Sequence, residues 1–233
     1  TSSDGSMPLL APMSTIAGQL AFVVGSYHLL KHNKGKGVMI GQMDDMDPRV
    51  VTVIGAGVAG TQSILKAIDN KALVKVVDSS QTKLDDLKSK YGSNNIEYIL
   101  STKDSIQVSI NESDLVIGSV YVVGKEAPKV ITREMLSSMN PGTVMVDVSI
   151  DQGGCFESSR PTTHDSPTFL ENDIVHYCVT NMPGAVPLTA TEALNKVSLS
   201  YVENLANNGI ENALNSDEHL RNCLLYTSPS PRD

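Results

Sequence analysis

Val50-Val51-Thr52-Val53-Ile54-Gly55-Ala56-Gly57-Val58-Ala59-Gly60 joins a short apolar run to three glycines spaced Gly-x-Gly-x-x-Gly. The run is rich in β-branched residues and lacks polar alternation, which predicts a strand buried on both faces. A helical pattern follows over Val58–Asp69. A strand that passes through such glycines into a helix has the form of a phosphate-binding turn. Gly55 permits the tight turn, Gly57 lets the backbone approach a pyrophosphate, and Gly60 lets the helix pack against the strand. The amino end of the helix offers unpaired N–H groups and a partial positive charge to the phosphates. Asp78 ends the next apolar run, roughly 20 residues beyond Gly55, where an acid that binds the adenosine ribose is expected. A carboxylate accepts hydrogen bonds from the ribose hydroxyls and repels a 2′-phosphate, so NAD is expected in preference to NADP. The competing reading is a strand-to-helix turn without a ligand.

Outward from this unit, apolar runs and helical patterns alternate. Leu73–Val77, Ile96–Leu100, Leu115–Val120, Val144–Val148 and the weaker Ile174–Val179 join Val50–Ile54 as six expected strands. Helical patterns lie between them at 58–69, 80–91, 103–111 and 132–139. This order predicts an α/β fold with a doubly wound parallel sheet of the Rossmann type. Two longer helices flank the block. Pro12 can open the first, to about Leu30. Thr189-Ala-Thr-Glu192 reads as a capping box opening the last, which continues to about Asn207, with Asn207, Asn208 or Gly209 placed to stop it. Both helices are expected to belong to an incomplete second domain. Gly35-Lys36-Gly37 with Gly41 is also glycine-rich, but Asp44, Asp45 and Pro48 follow instead of a helix. It reads as a linker and a short strand that bind nothing.

Composition narrows the function. The 233 residues are 40% hydrophobic and 19% charged, with a net charge of -8, so neither a highly charged disordered chain nor a basic nucleic-acid binder fits. Trp is absent and aromatic residues are 4%, which argues against a base-stacking surface. The longest apolar stretch, Ile16 to Leu30, is interrupted by Gln19, Ser26 and His28 and is too short to span a bilayer. Cys155, Cys178 and Cys223 are odd in number and far apart, which suggests a reducing, cytoplasmic setting and no zinc site. His28, His32, His176 and His219 show no metal-ligand spacing.

In a doubly wound sheet the ligand lies outside the carboxyl ends of the strands, beside strands one and four. Val120 to Gly124 should therefore line the cofactor path. In TVMVDVSIDQGG, Asp147 falls within the fifth strand and Asp151 at its tip. Asp151 is the candidate catalytic carboxylate, able to orient a histidine or an amine substrate, with loop capping as its alternative role. Asn181, just past the sixth strand, can donate and accept, which suits a ribose or carboxamide contact. Lys83 reads as a solvated helix residue that could soften the repulsion of Asp78 for a phosphate. Arg160-Pro-Thr-Thr-His164-Asp165 lacks a nucleophile elbow and reads as a structural loop with its polar groups mutually bonded.

With these residues identified, the chain resembles the alanine dehydrogenase family. The matching runs are PLLAPMSTIAG (8–18), VTVIGAGVAGT (51–61), DLVIGSV (114–120), VDVSIDQGGCFESSRPTTHDSPTF (146–169) and HYCVTNMPGAVPLT (176–189). The resemblance implies a reversible, NAD-dependent oxidative deamination of L-alanine to pyruvate and ammonia by a homo-hexamer, with no nucleic-acid or membrane partner. It implies that Asp151 is catalytic opposite a histidine, and that Ser14, Asp78, Lys83, Ser101, Val120 and Asn181 contact the dinucleotide. It raises Lys83 from a solvated residue to a ribose contact. None of the five histidines matches the family's catalytic one. With no initiator Met at Thr1, this leads us to expect an interior piece of a longer chain, lacking a first third and inactive alone.

The expected division is 1–33 as a connecting helix of a substrate domain, 34–180 as the NAD-binding domain, 181–222 as a return helix, and 223–233 as a disordered, non-native tail. Two alternatives stand beside this reading. One is the NAD(H)-binding component of a proton-translocating transhydrogenase, against which the IDQGG run argues. The other is a non-catalytic NAD-binding module.

Overall fold

A computed structural model describes residues 6–122, 124–222 and 224. The expected tail, apart from Leu224, lies outside the described residues, as does Cys223. The described residues contain seven strands in one sheet, ordered β3-β2-β1-β4-β5-β7-β6. These are β1 Val50–Ile54, β2 Leu73–Asp78, β3 Ile96–Leu100, β4 Leu115–Gly118, β5 Val144–Asp147, β6 Thr168–Glu171 and β7 Ile174–Tyr177. Every pairing is parallel except β6 with β7. β1 lies between β2 and β4, with Ile54 opposite Val77 and Gly118, so the strand order reverses beside the glycine turn as expected. The sequence reading omits β6. TFLE carries no long apolar run, and its strand state comes from edge pairing with β7 through a tight turn at Asn172 and Asp173, both at positive φ.

The strands divide their side chains between two cores with period two. Val51, Val53, Leu115, Ile117, Val144 and Val146 face one side with Ile64, Ala67 and Leu84 from α2 Val58–Asp69 and α3 Gln81–Tyr91. Ile54, Val116 and Met145 face the other with Ile106 and Ile110 of α4 Lys103–Glu112. Met135 and Leu136, from a 3-10 turn over Glu134–Ser138, complete that face where the pattern predicted an α-helix over 132–139. Burial on both faces explains why these strands read as unbroken apolar runs.

Two compact units divide the chain, residues 14–185 and residues 1–13 with 186–233. The first takes in most of α1 Ala11–His28, which the sequence reading grouped outside the alternating block. The reason lies in the small residues on its inner face. A Cβ on Gly18 would stand 2.0 Å from the Ala59 carbonyl, and one on Gly25 would stand 2.5 Å from Leu115 Cδ1. Ala17, Ala21 and Phe22 join the same core, and Ser63 donates to the Gly18 carbonyl at 2.7 Å. The Gly35–Gly41 stretch contains no strand, only a bridge between Met43 and Met46 nearby. Gly35 packs against the end of α1.

The second unit contains α5 Pro187–Ser216 and α6 Glu218–Asn222. α5 starts one turn before the expected capping box, with Pro187 in its first turn and no side-chain cap. Pro187 supplies a preset φ where no N–H is required, so Thr189 falls inside the helix. Gly209 breaks the helical conformation at φ 73°, as the stop signal suggested, but the chain resumes helix beyond it.

Candidate functional site

The glycine turn is built from steric requirements that differ from residue to residue. Gly55 has φ +94°, and a Cβ there would stand 2.6 Å from the Ser119 carbonyl, so it turns where β1 and the end of β4 crowd together. A Cβ on Gly60 would stand 1.8 Å from the Gly55 carbonyl. Gly57 is otherwise. Nothing lies within 4 Å of the place its Cβ would take, so the open space above it is available to a ligand rather than filled by protein. Gly57 is also the N-cap of α2 and supplies no side-chain cap, in contrast to α3 and α4, which Ser80 and Thr102 cap. The first N–H groups of α2 thus face the space above the turn.

Asp78 ends β2 beside this turn. One carboxylate oxygen accepts from Ala56 N at 2.7 Å, and the other from Ser80 N at 2.9 Å. Each oxygen keeps a second lone pair for an outside donor. The Asp78 carbonyl accepts from Ser101 N at 2.9 Å, which brings Ser101 to the same strand end. Lys83 is exposed in the first turn of α3, and its N–H reaches the Ser80 hydroxyl at 3.4 Å. Across the turn, Val120 N comes within 3.1 Å of where a Gly55 Cβ would be. Ser14 lies on α1 one turn before Gly18.

Farther along the carboxyl edge, β5 leads into a 3-10 turn over Val148–Gln152 that carries Asp151. Asp151 is exposed, and both of its oxygens accept from the Asn181 N–H, at 3.2 and 3.3 Å. Asn181 holds φ 50°, a left-handed conformation that asparagine tolerates. Asp151 and Asn181 are therefore neighbours although they lie in different loops. Val120 is connected to them, because its carbonyl accepts from Ser149 Oγ at 2.9 Å.

The apolar run marks Asp147 only as a strand residue. It is wholly buried, and burial pushes its carboxyl up, while hydrogen bonds from Ser159, Cys155 and Phe156 oppose that shift. Burial and the neighbouring Asp147 charge raise the Cys155 thiol well above its ordinary range, and burial pushes Cys178 up to about 12. Both are structural thiols. Ser158 and His176 stand 2.8 Å apart, a pairing that the sequence reading missed. His176 Nδ1 lies 3.0 Å from the Ile174 carbonyl, which only accepts, so Nε2 accepts the Ser158 proton. Both residues are buried, which makes them a core bridge rather than a nucleophile and its base.

The 160–165 loop bonds to its neighbours and not, as expected, to itself. Arg160 stacks on Phe169 at 4.1 Å, and Thr162 donates to the Pro167 carbonyl, while His164 is exposed near Asn181. Among the described residues no cluster of His, Cys, Asp and Glu is arranged to hold a metal ion. No described helix is long and apolar enough to cross a membrane.

Known proteins resemble this chain in sequence and fold. The alanine dehydrogenase of Halomonas elongata is 47% identical over 219 residues, which cover 94% of this chain and 59% of that protein. The alanine dehydrogenase of Mycobacterium tuberculosis H37Rv is 44% identical over 94% of this chain and 58% of its own length. The chain thus spans a little over half the length of these relatives. A solved L-alanine dehydrogenase superimposes with a TM-score of 0.94 at 39% identity, covering 99% of this chain and 64% of the other. A Sinorhizobium meliloti transhydrogenase superimposes at 0.74 with 22% identity, over 87% of this chain and 57% of its own, and shares the fold. The family model described as Alanine dehydrogenase/PNT, C-terminal domain, matches residues 21–229, and the chain belongs to that family.

Proposed function

We propose that the chain binds NAD across the carboxyl ends of β1, β2 and β4, as part of an enzyme that interconverts L-alanine with pyruvate and ammonia. The open space above Gly57, bounded by the uncapped amino end of α2, carries the nucleotide reading. Pyrophosphate oxygens would receive the N–H groups there, as at other glycine turns. Asp78 would accept the ribose hydroxyls on its remaining lone pairs, and its charge would reject a 2′-phosphate. Lys83 and Ser101, near Asp78, would lie at the adenosine half, Val120 and Asn181 at the nicotinamide half, and Ser14 would contact the dinucleotide from α1.

The assignment to alanine rests on the two alanine dehydrogenases, 47% and 44% identical, against 22% for the transhydrogenase. When bound, NAD supplies a hydride acceptor. Asp151 would hold the amino group of the substrate, or the water that replaces it, through a carboxylate already aligned by the Asn181 amide. Asn181 would share its side-chain amide with the nicotinamide half while its backbone fixes Asp151. By the same likeness we infer a cytoplasmic homo-hexamer. On α5, exposed Leu188, Leu199, Val202 and Ile210 are apolar surface that a subunit contact would cover.

Calorimetric titration with NAD and NADP tests the nucleotide site. Binding of NAD that exceeds NADP and weakens about tenfold or more in Asp78→Ala is expected, a loss of about 1.4 kcal/mol or greater. Equal affinity for the two nucleotides, or an unchanged affinity in the variant, would remove Asp78 from the site.

A further inference from the structure

The turn that carries Asp151 is gripped from its two sides by charged groups that the proposed chemistry does not use. Inside it lies Asp147, the last residue of β5 and fully buried. One oxygen of Asp147 accepts from Ser149 N at 3.0 Å and Cys155 Sγ at 3.4 Å. The other accepts from Cys155 N at 2.8 Å, Phe156 N at 3.4 Å and the Ser159 hydroxyl. All of these partners donate, so they match an ionised carboxylate and leave a neutral amide in its place facing N–H groups. Gly154, at φ +77°, leaves room for this. A Cβ there would stand 2.8 Å from the Asp147 oxygen.

Outside the turn lies Lys129. Its ammonium group donates to the carbonyls of Gly153 and Gly154, the latter at 2.7 Å. The segment around Lys129 is zipped to the same turn by Ala127 N to the Gln152 carbonyl at 2.9 Å and Val130 N to the Cys155 carbonyl at 2.8 Å. The turn therefore points N–H groups inward at an anion and carbonyls outward at a cation. Charge-assisted hydrogen bonds of this kind are stronger than neutral ones and fix a loop that has no repetitive structure of its own. At the tip, the Asp151 carboxylate meets the Asn181 amide.

We propose that Asp147 and Lys129 are positioning residues that hold the 148–155 turn from inside and outside and so set the Asp151 carboxylate against the Asn181 amide. The importance of that alignment for alanine chemistry rests on the function proposed above, while the alignment itself does not. The probe is the Asn181 amide proton in the 15N-labelled chain, with Asp151→Asn as the reference for a lost carboxylate contact. In Lys129→Met and Ser159→Ala this resonance is expected to move in the same direction as in Asp151→Asn, by about half as far or more, because supporting contacts set site geometry. Lys129→Arg, which keeps the cation, should restore the wild-type position.

Variants that lower the melting temperature yet leave the Asn181 resonance at its wild-type position would overturn the proposal and leave the two residues a purely structural role. Asp147→Asn is the most direct change and also the one most exposed to misfolding. The Lys129 and Ser159 variants keep the buried carboxylate and decide the matter without it. NADH titration of the same samples separates the two readings. Absence of nucleotide binding in the wild-type chain counts against the functional reading only, since the amide signal needs no nucleotide.

Discussion

Gly57 and Gly60 stand three positions apart in one turn, yet their glycine character has different origins. A methyl group at Gly60 would collide with the Gly55 carbonyl at 1.8 Å, so the fold itself excludes it. A methyl group at Gly57 would enter open space, from a backbone with φ −77° that any residue adopts. Gly57→Ala should therefore change stability by no more than about 0.5 kcal/mol, as a surface substitution does. It should nonetheless weaken NADH binding about tenfold or more, the equivalent of about 1.4 kcal/mol. Gly60→Ala should lower stability by about 1–3 kcal/mol as an overpacked contact does. Urea unfolding and NADH fluorescence titration read the two effects separately. If Gly57→Ala bound NADH normally, the space above the turn would not be the phosphate site. The motif was legible because the chemistry repeats at fixed spacing. It could not show which glycine the fold itself requires, because that depends on what stands opposite each Cβ.

At the scale of elements, α1 shows how a helix with a weak sequence signal finds its place. It opens as Pro12 suggested, but beside Phe22 its docking face is made of Ala17, Gly18, Ala21 and Gly25, small residues that contribute little apolar contrast. What these small residues allow is close approach, down to 2.0 Å between the place of a Gly18 Cβ and the Ala59 carbonyl. Gly18→Ala should consequently cost about 1–3 kcal/mol, although alanine ordinarily favours a helix over glycine. Ser26→Ala, on the same helix, provides the comparison, since the Ser26 hydroxyl donates to the Phe22 carbonyl one turn back within the helix. A stabilised Gly18→Ala in thermal or urea unfolding would show that α1 is not docked on α2. α5 teaches a related lesson. Thr189 and Glu192 have capping spacing, but Pro187 lies closer to the preceding turn and starts the helix first.

For the molecule as a whole, the buried histidines set the response to acid. Burial lowers the pKa of His176 and of His28 below the ordinary 6.5, with His32 adding to the effect at His28. The unfolded chain therefore takes up protons that the folded chain refuses. Their contribution to stability is full above 6.5 and is lost as the pH falls below it, until the folded histidines titrate as well. The carboxyl of Asp147, raised by burial, acts with the opposite sign in the acid range, where protonation favours the folded form. Urea unfolding at pH 7.5 and pH 5.5 should show a lower midpoint in acid, and His176→Gln should reduce the difference. An unchanged difference in that variant would place the acid response elsewhere.

Six of the seven described strands, the glycine turn, and the places of Asp78, Asp151 and Asn181 at strand ends were legible from local order alone. Period two, fixed glycine spacing and the ends of apolar runs are properties of neighbouring residues, and short-range sterics enforce them. The pairings that complete the site follow from how distant segments meet. Asp147 bonds Ser159 across 12 positions, Asp151 bonds Asn181 across 30, and Ser63 bonds Gly18 across 45. β6 exists only because β7 lies beside it. No local period marks such partners, since a buried carboxylate recruits whatever donors the folded chain brings within reach. The sequence alone therefore marked the carboxyl edge of the sheet, and tertiary packing decided which groups stand around Asp151 there.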